Sequence, residues 1–409
     1  MFSRRSLLCA GVAGALAAAM SASMAVAAEK KYGPGVSDTE IRLGQTMPYS
    51  GPASAYGLQG VVQQAFFREL NEKGGINGRK INLISLDDAY SPPKAVEQTR
   101  KLVENEEVLA IYGSLGTPSN TAIQKYLNSK KIPHILISTG ASKWNDPSRF
   151  PWTTPFFPLY DVEGEIFGRY VAENYPNAKI AILSQNDDSG RDYVKGFRAG
   201  LGEKTANIVS EATYEVTDAT VDSQMVKLKN SGADVFFLMA TPKFGAQAIR
   251  KKHELGWNPV TVVASVAASI GSVLKPAGFE AAQGLITAAF MKTPGDPQYN
   301  DSPDMKEYAA FLKRHNLEQH FLDTNAVLAY ISATVLTRAL QNAGDDLTRE
   351  NVLKQVANLK ITDAPLLLDG VIVETAPDNY SAFNTLRLQR FKGESYELFG
   401  EPLTVNRRK

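Results

Sequence analysis

The chain predicts an α/β fold: two doubly wound lobes with parallel-rich sheets. Three observations carry this. Short runs rich in Val, Ile, Leu and Phe recur along the sequence and are apolar on both faces, as suits strands covered by helices on both sides. Segments with helical spacing alternate with them. The series is too long for one small sheet, and a stretch rich in Pro and aromatics, residues 152–160, interrupts it before the pattern restarts.

Taken in order, the expected strands are 41–46, 81–86, 108–112, 134–138, 179–184, 234–239, 261–264 and 284–289. The expected helices between them are 60–73, 94–104, 119–128, 161–174, 193–201, 223–229 and 244–255. The end of the chain differs. Residues 371–374, 384–391 and 395–399 read as extended segments, with Lys392-Gly393 as the turn between the last two. No short repeat, low-complexity tract or flexible linker is evident.

The N-terminus reads as an address. Arg4 and Arg5 precede an uncharged Ala/Leu-rich run, and Ala25-Val26-Ala27 forms a cleavage motif, so residues 1–27 are expected to be a signal peptide. The paired arginines also resemble a twin-arginine signal. Cleavage would remove Cys9, the single cysteine among 409 residues, and leave a net charge near −1 instead of +1. The near-neutral balance of 44 Lys+Arg against 43 Asp+Glu offers no basic field for nucleic acid. One cysteine makes neither a disulfide nor a zinc site. The longest other apolar runs, 260–274 and 324–337, contain Ser, Thr and Asn and are too short to span a bilayer, which takes roughly 18 residues.

In open α/β sheets ligands bind beyond the carboxyl ends of strands, so the loops there are the candidate site. Tyr56 sits in the Gly-flanked loop 50–57. Thr117-Pro118 reads as an N-cap followed by the first helical residue, which would leave the N–H groups of Ser119 and Asn120 free for an anion; a plain helix cap is the other reading. Gly140-Ala141-Ser142 would let a ligand approach the backbone, or form a simple turn. Asp87-Asp88 and Asp187-Asp188 are paired carboxylates whose ordinary role is capping. Trp152, Phe156, Phe157 and Tyr160 offer rings to stack on a ligand or to pack the lobe junction. His315 and His320 read as solvated, and His134 as a structural strand residue. Phosphate-loop, nucleophile-elbow and zinc-protease motifs are missing from the sequence.

The stretches IRLGQTMPYSGPASAYG, NEKGGINGRKINLISLDDAYSPPKAVEQTRKLVENEEVLAIYGSLGT, IPHILISTGASKW and IAILSQNDDSGRDYVKGF, in this order, carry a resemblance. The chain resembles the type I periplasmic solute-binding proteins of ABC transporters, in the leucine/isoleucine/valine-binding family. The resemblance implies two lobes joined by three crossovers, with lobe 1 from 28–157 and 290–375 and lobe 2 from 158–289 and 376–409. It also implies a ligand held in the cleft without chemistry, delivery to permease subunits, a monomer, and no cofactor or metal. By the same resemblance Tyr56, Thr117, Gly140, Ala141 and Ser142 are first-lobe ligand residues, while Ser189, Ala240 and Ala267 belong to the second lobe. Trp152 and Phe157 are added from their own chemistry.

One departure matters. Amino-acid-binding members of this family place an acidic residue near the position of Ala267, where it pairs with the ligand ammonium; here the stretch 264–269 holds no carboxylate. A buried ammonium without a counter-charge costs several kcal/mol. The expected ligand is therefore an aromatic or otherwise apolar carboxylate without an α-ammonium. A branched-chain or other neutral amino acid or amide remains the alternative, with Asp187 or Asp188 as substitute partner. A ligand-binding sensor and a secreted α/β enzyme are the readings from other functional classes.

Overall fold

The computed structural model describes residues 30–405; the expected signal peptide lies outside them. The first sheet is formed by β1 (Glu40–Met47), β2 (Lys80–Asp87), β3 (Ala110–Tyr112), β4 (His134–Ile137) and β5 (Thr153–Pro155). Its order is β2-β1-β3-β4-β5 and every pairing is parallel, with Leu43 opposite Leu83 on one side and Ala110 on the other. Three helices connect these strands: α1 (Leu58–Glu72), α2 (Pro92–Glu104) and α3 (Thr117–Ser129).

The chain then crosses to a second sheet. It runs through α4 (Tyr160–Asn174), β6 (Ile180–Gln185), α5 (Asp188–Leu201), β7 (Ile208–Tyr214), α6 (Asp222–Asn230), β8 (Val235–Met239), α7 (Pro242–Glu254), β9 (Val260–Val263) and β10 (Ile286–Ala289). A second crossing returns it to the first lobe for α8 (Pro303–Arg314), α9 (Thr324–Ala343) and α10 (Arg349–Val356). A third leads to β11 (Thr385–Lys392) and β12 (Ser395–Thr404). The second sheet has the order β12-β11-β10-β9-β8-β6-β7, parallel except for the two antiparallel strands added at the end. Gly393, at φ +64°, supplies the turn expected between those two.

The apolar run 324–337 is the buried helix α9, packed along α1 in the first lobe, and among the described residues no helix is long and apolar enough to cross a membrane. β7 and β5 were not expected. β7 is an edge strand whose sequence, IVSEATY, alternates exposed and covered positions, so it lacks the two-sided apolar signature of its neighbours. β5 has three residues, too few for a period. The third crossing comes later than residue 375: Asn379 accepts from Asn145, and Tyr380 bonds both Asn145 and the Pro151 carbonyl, tying this segment to the first lobe.

One contact fixes the second lobe beside the cleft. Gly164 and Gly168 of α4 face Gly196 and Gly200 of α5. A Cβ at Gly168 would lie 2.1 Å from the Phe197 carbonyl oxygen, and one at Gly196 would lie 2.0 Å from that of Asp161. The two helices thus meet backbone to backbone, which only glycine permits. This sets the spacing that stacks Tyr160 on Tyr193, centroids 4.6 Å apart.

Candidate ligand-binding cleft

The carboxyl ends of both sheets face a cavity with about 840 Å³ of empty space. Tyr56, Gln59, Tyr90, Thr117 and Ser138 line it from the first lobe, and Gln185, Ser189, Thr241, Ser265 and Gln389 from the second. Phe157, Phe290, Met291 and Leu328 supply apolar surface between them. Among the described residues, none of those lining it is Asp, Glu, Lys, Arg or His.

The lobes touch across its rim. Tyr56 Oη donates to the Val266 carbonyl at 3.1 Å. The Ser142 N–H and Oγ donate to Asp192 at 2.6 and 3.0 Å, and Lys143 pairs with Asp188 at 2.6 Å. Ser269 Oγ donates to Asp323, the N-cap of α9, at 2.9 Å. Burial pushes the Tyr56 phenol well above its ordinary range, so it stays a neutral donor.

The first-lobe wall is built around the start of α3. The N-cap is Gly116, not Thr117, and Thr117 is the first helical residue. Gly116 has φ +95°, and a Cβ there would sit 2.5 Å from the Tyr90 ring. The register is therefore one residue earlier than the sequence suggested, because only glycine fits against that ring. The N–H of Asn120 already bonds the Gly116 carbonyl at 3.1 Å, so the donors left at this helix start are those of Thr117 and Ser119. Thr117 Oγ1 shares a 2.6 Å hydrogen bond with Thr139, and Ser138 donates to Gln59 at 2.7 Å. Gln59 in turn donates to Asn325 at 3.1 Å.

Asp87 and Asp88 hold the neighbouring loop. Ala89 and Tyr90 both have positive φ, at 50° and 59°. The N–H of Ala89 donates to Asp87 and that of Tyr90 to Asp88, at 2.9 and 2.8 Å. These bonds stabilise a conformation that costs non-glycine residues about 1–3 kcal/mol each. They aim the Tyr90 ring into the cleft. Burial works to raise the Asp87 pKa, but hydrogen bonds from Ser50 and Lys94 outweigh it and hold the carboxylate well below its ordinary value.

The second-lobe carboxylates lie behind the wall. Glu163 is fully buried and accepts from Ser265 N and Oγ and from Tyr193 Oη, at 2.7, 2.8 and 2.9 Å. Burial raises its pKa to about 7, against the lowering effect of those hydrogen bonds. Asp187 caps α5, accepting from Gly190 N, Ser189 Oγ and Gln185 Nε2, and burial raises its pKa. Asp188 is held low by hydrogen bonds from Lys143 and Arg191.

Of the residues singled out from sequence, Tyr56, Thr117, Phe157, Tyr160 and Ser189 line the cavity. Gly140, Ala141 and Ser142 do not. The close approach at Gly140 is made by the first crossing, since a Cβ there would lie 2.0 Å from the Pro158 carbonyl oxygen. Ala141 is core, and Ser142 is a rim contact. Ala240 and Ala267 are fully buried in the second-lobe core, while their neighbours Met239, Thr241, Val266 and Ala268 face the cavity. Trp152 stands at the opposite end of the first sheet, where its carbonyl accepts from the His134 N–H ahead of β5. His315 is not solvated; it bonds Glu69 at 3.0 Å and packs on Phe311. His134 is buried against Asn120, its pKa lowered by burial to about 3, and stays neutral. Gln59, Tyr90, Gln185, Asn325 and Gln389 escaped sequence reasoning, because each is polar in a segment whose pattern marks only a strand or helix end.

The periplasmic binding protein family model matches residues 40–394. A Leu/Ile/Val-binding protein homolog 7 from Brucella melitensis is 24% identical over 324 residues, covering 75% of this chain and 78% of that one. Among solved structures, a branched-chain amino acid ABC transporter protein of Thermus thermophilus with bound valine aligns at TM-score 0.79 and 17% identity, covering 90% of this chain and 98% of its own. A solute-binding protein of Rhodopseudomonas palustris BisB5 in complex with 3,4-dihydroxybenzoic acid aligns at 0.73 and 20%, covering 90% and 97%. Two lobes wound around a cleft, and a family match that runs from β1 into the last hairpin, make this chain a member of the periplasmic binding protein family, with the type I fold.

Proposed function

We propose that this chain is the extracytoplasmic binding component of an ABC importer and that its ligand is a small carboxylate with an apolar or aromatic body. The observation that carries the reading is the uncharged cavity lining. A ligand ammonium would need a carboxylate. Those behind the wall, Glu163 and Asp187, are each engaged by three hydrogen bonds, and Asp188 is paired with Lys143 and Arg191. A ligand carboxylate needs only donors. The start of α3, with the N–H and the hydroxyl of Thr117, offers these. Phe157, Phe290 and Tyr160 offer the apolar surface for the body. Export by the N-terminal signal, closure of the lobes on the ligand and presentation of the closed form to permease subunits complete the reading.

The names of the relatives favour a second reading, a branched-chain amino acid ligand, with Asp187 released from its cap to meet the ammonium. Thermal denaturation of the purified protein separates the two. Benzoate- or cinnamate-type acids are expected to raise the melting temperature. Stabilisation by leucine or valine, with none by these acids, overturns the proposal.

A further inference from the structure

Among the side-chain amides that line the cavity, that of Gln389 has a nitrogen without a protein acceptor. Gln389 lies on β11, beside Phe391 on the same strand face, and both are buried. Gln389 is only 6% exposed, and the part of its amide that the protein does not bond opens on the cavity. Its Oε1 accepts from Thr293 Oγ1 at 3.2 Å. Its Nε2 has no acceptor among the described residues. Thr293 and Gln389 both line the cavity, on the side where the chain makes its second and third crossings. The other amides in the wall are bonded at both ends: Gln59 to Ser138 and Asn325, Gln185 to Tyr214 and Asp187, and Asn325 to Gln59 and Asp323.

We infer that Gln389 and Thr293 form a second polar subsite, which reads a hydroxyl group on the ligand body away from its carboxylate. A hydroxyl suits this pair because it both accepts and donates. It takes a hydrogen bond from Nε2 as the amide stands, and it gives one if the amide is turned over so that its oxygen faces the cavity. A bare ring would bury Nε2 against carbon and leave it unpaired. The ligand class is thus narrowed to hydroxylated aromatic or apolar carboxylates. This rests on the carboxylate reading of the same cavity.

The test is calorimetric titration of the full protein with two matched pairs: benzoate against 4-hydroxybenzoate, and cinnamate against 4-hydroxycinnamate. In at least one pair the hydroxylated acid is expected to bind about tenfold tighter or more. Gln389→Leu is expected to abolish that preference, so that the hydroxylated and bare acids bind within about twofold of each other. Thr293→Val, which removes the bond that orients the amide, is expected to reduce it. The melting temperature of each variant without ligand establishes that it folds. Equal binding of hydroxylated and bare acids, or a preference that survives Gln389→Leu, overturns the subsite and leaves the carboxylate reading standing. Binding of neither acid in both pairs overturns the carboxylate reading and the subsite with it.

Discussion

The two walls of the cleft use carboxylates differently. In the first lobe Asp87 and Asp88 hold a loop in left-handed backbone conformations, and the helix start beside it keeps N–H donors open. In the second lobe Glu163 and Asp187 stand behind Ser265 and Ser189 and absorb the donors that would otherwise face the ligand. The first wall thus keeps backbone donors at its surface, while on the second the hydroxyls of Ser265 and Ser189 are turned inward.

That contrast can be broken from either side. The largest effect is expected where the second wall is held together. Gly168→Leu would drive a side chain into the Phe197 carbonyl, with no room to repack. A destabilisation of about 3 kcal/mol or more is expected, lowering the melting temperature by roughly 5–10 °C. An unchanged circular-dichroism melt would show that α4 and α5 tolerate separation.

Next in size is the buried Glu163. Its pKa in the folded protein, about 7, lies above the ordinary 4.5, so folding favours the protonated form. The stability this contributes is fully present below pH 4.5 and is lost as pH rises through 7. The amount is on the order of 3 kcal/mol. Urea unfolding is therefore expected to show stability falling between pH 5 and 8 (about this window), and Glu163→Gln is expected to flatten that slope. A slope that persists in the variant assigns it to another group.

On the first wall, Gly116→Ala forces a side chain into a positive-φ position and against Tyr90. A cost of about 1–3 kcal/mol is expected, together with roughly tenfold or greater weakening of carboxylate binding by titration. Retained affinity would mean that the α3 start does not hold the ligand. The smallest effect belongs to the rim. Tyr56→Phe removes the hydrogen bond to the Val266 carbonyl and is expected to weaken binding by about 1 kcal/mol, with little change in the melt of the free protein.

Much of this arrangement is legible in the sequence. The parallel strands buried on both faces announce themselves by unbroken apolar runs, and the ligand-side loops follow from the strand ends. Tyr56 and Ser189 could be placed because they sit directly in those loops. Trp152 was misplaced because an aromatic near a crossing carries no sign of which end of the strand it occupies. The Gly140 loop leaves two readings open in the sequence, because close approach by a carbonyl of the chain and by a ligand demand the same glycine. Gln389 and Asn325 come from segments beyond the second crossing, and only the assembled lobes bring them to the cavity. The absence of a carboxylate at Ala267 was readable; the presence of Glu163 behind Ser265 was not, since more than a hundred residues (about that span, 163 to 265) separate them.

The glycine-to-carbonyl contacts of α4 and α5 have a mechanical meaning. Each carbonyl seated against a glycine acts as a tooth in a rack, and neither helix can slide along the other without the next residue colliding. The second wall then behaves as a fixed jaw machined at the time of folding. Adjustment to ligands of different length then falls to the first-lobe loops and the connecting spans, and not to the contact between α4 and α5.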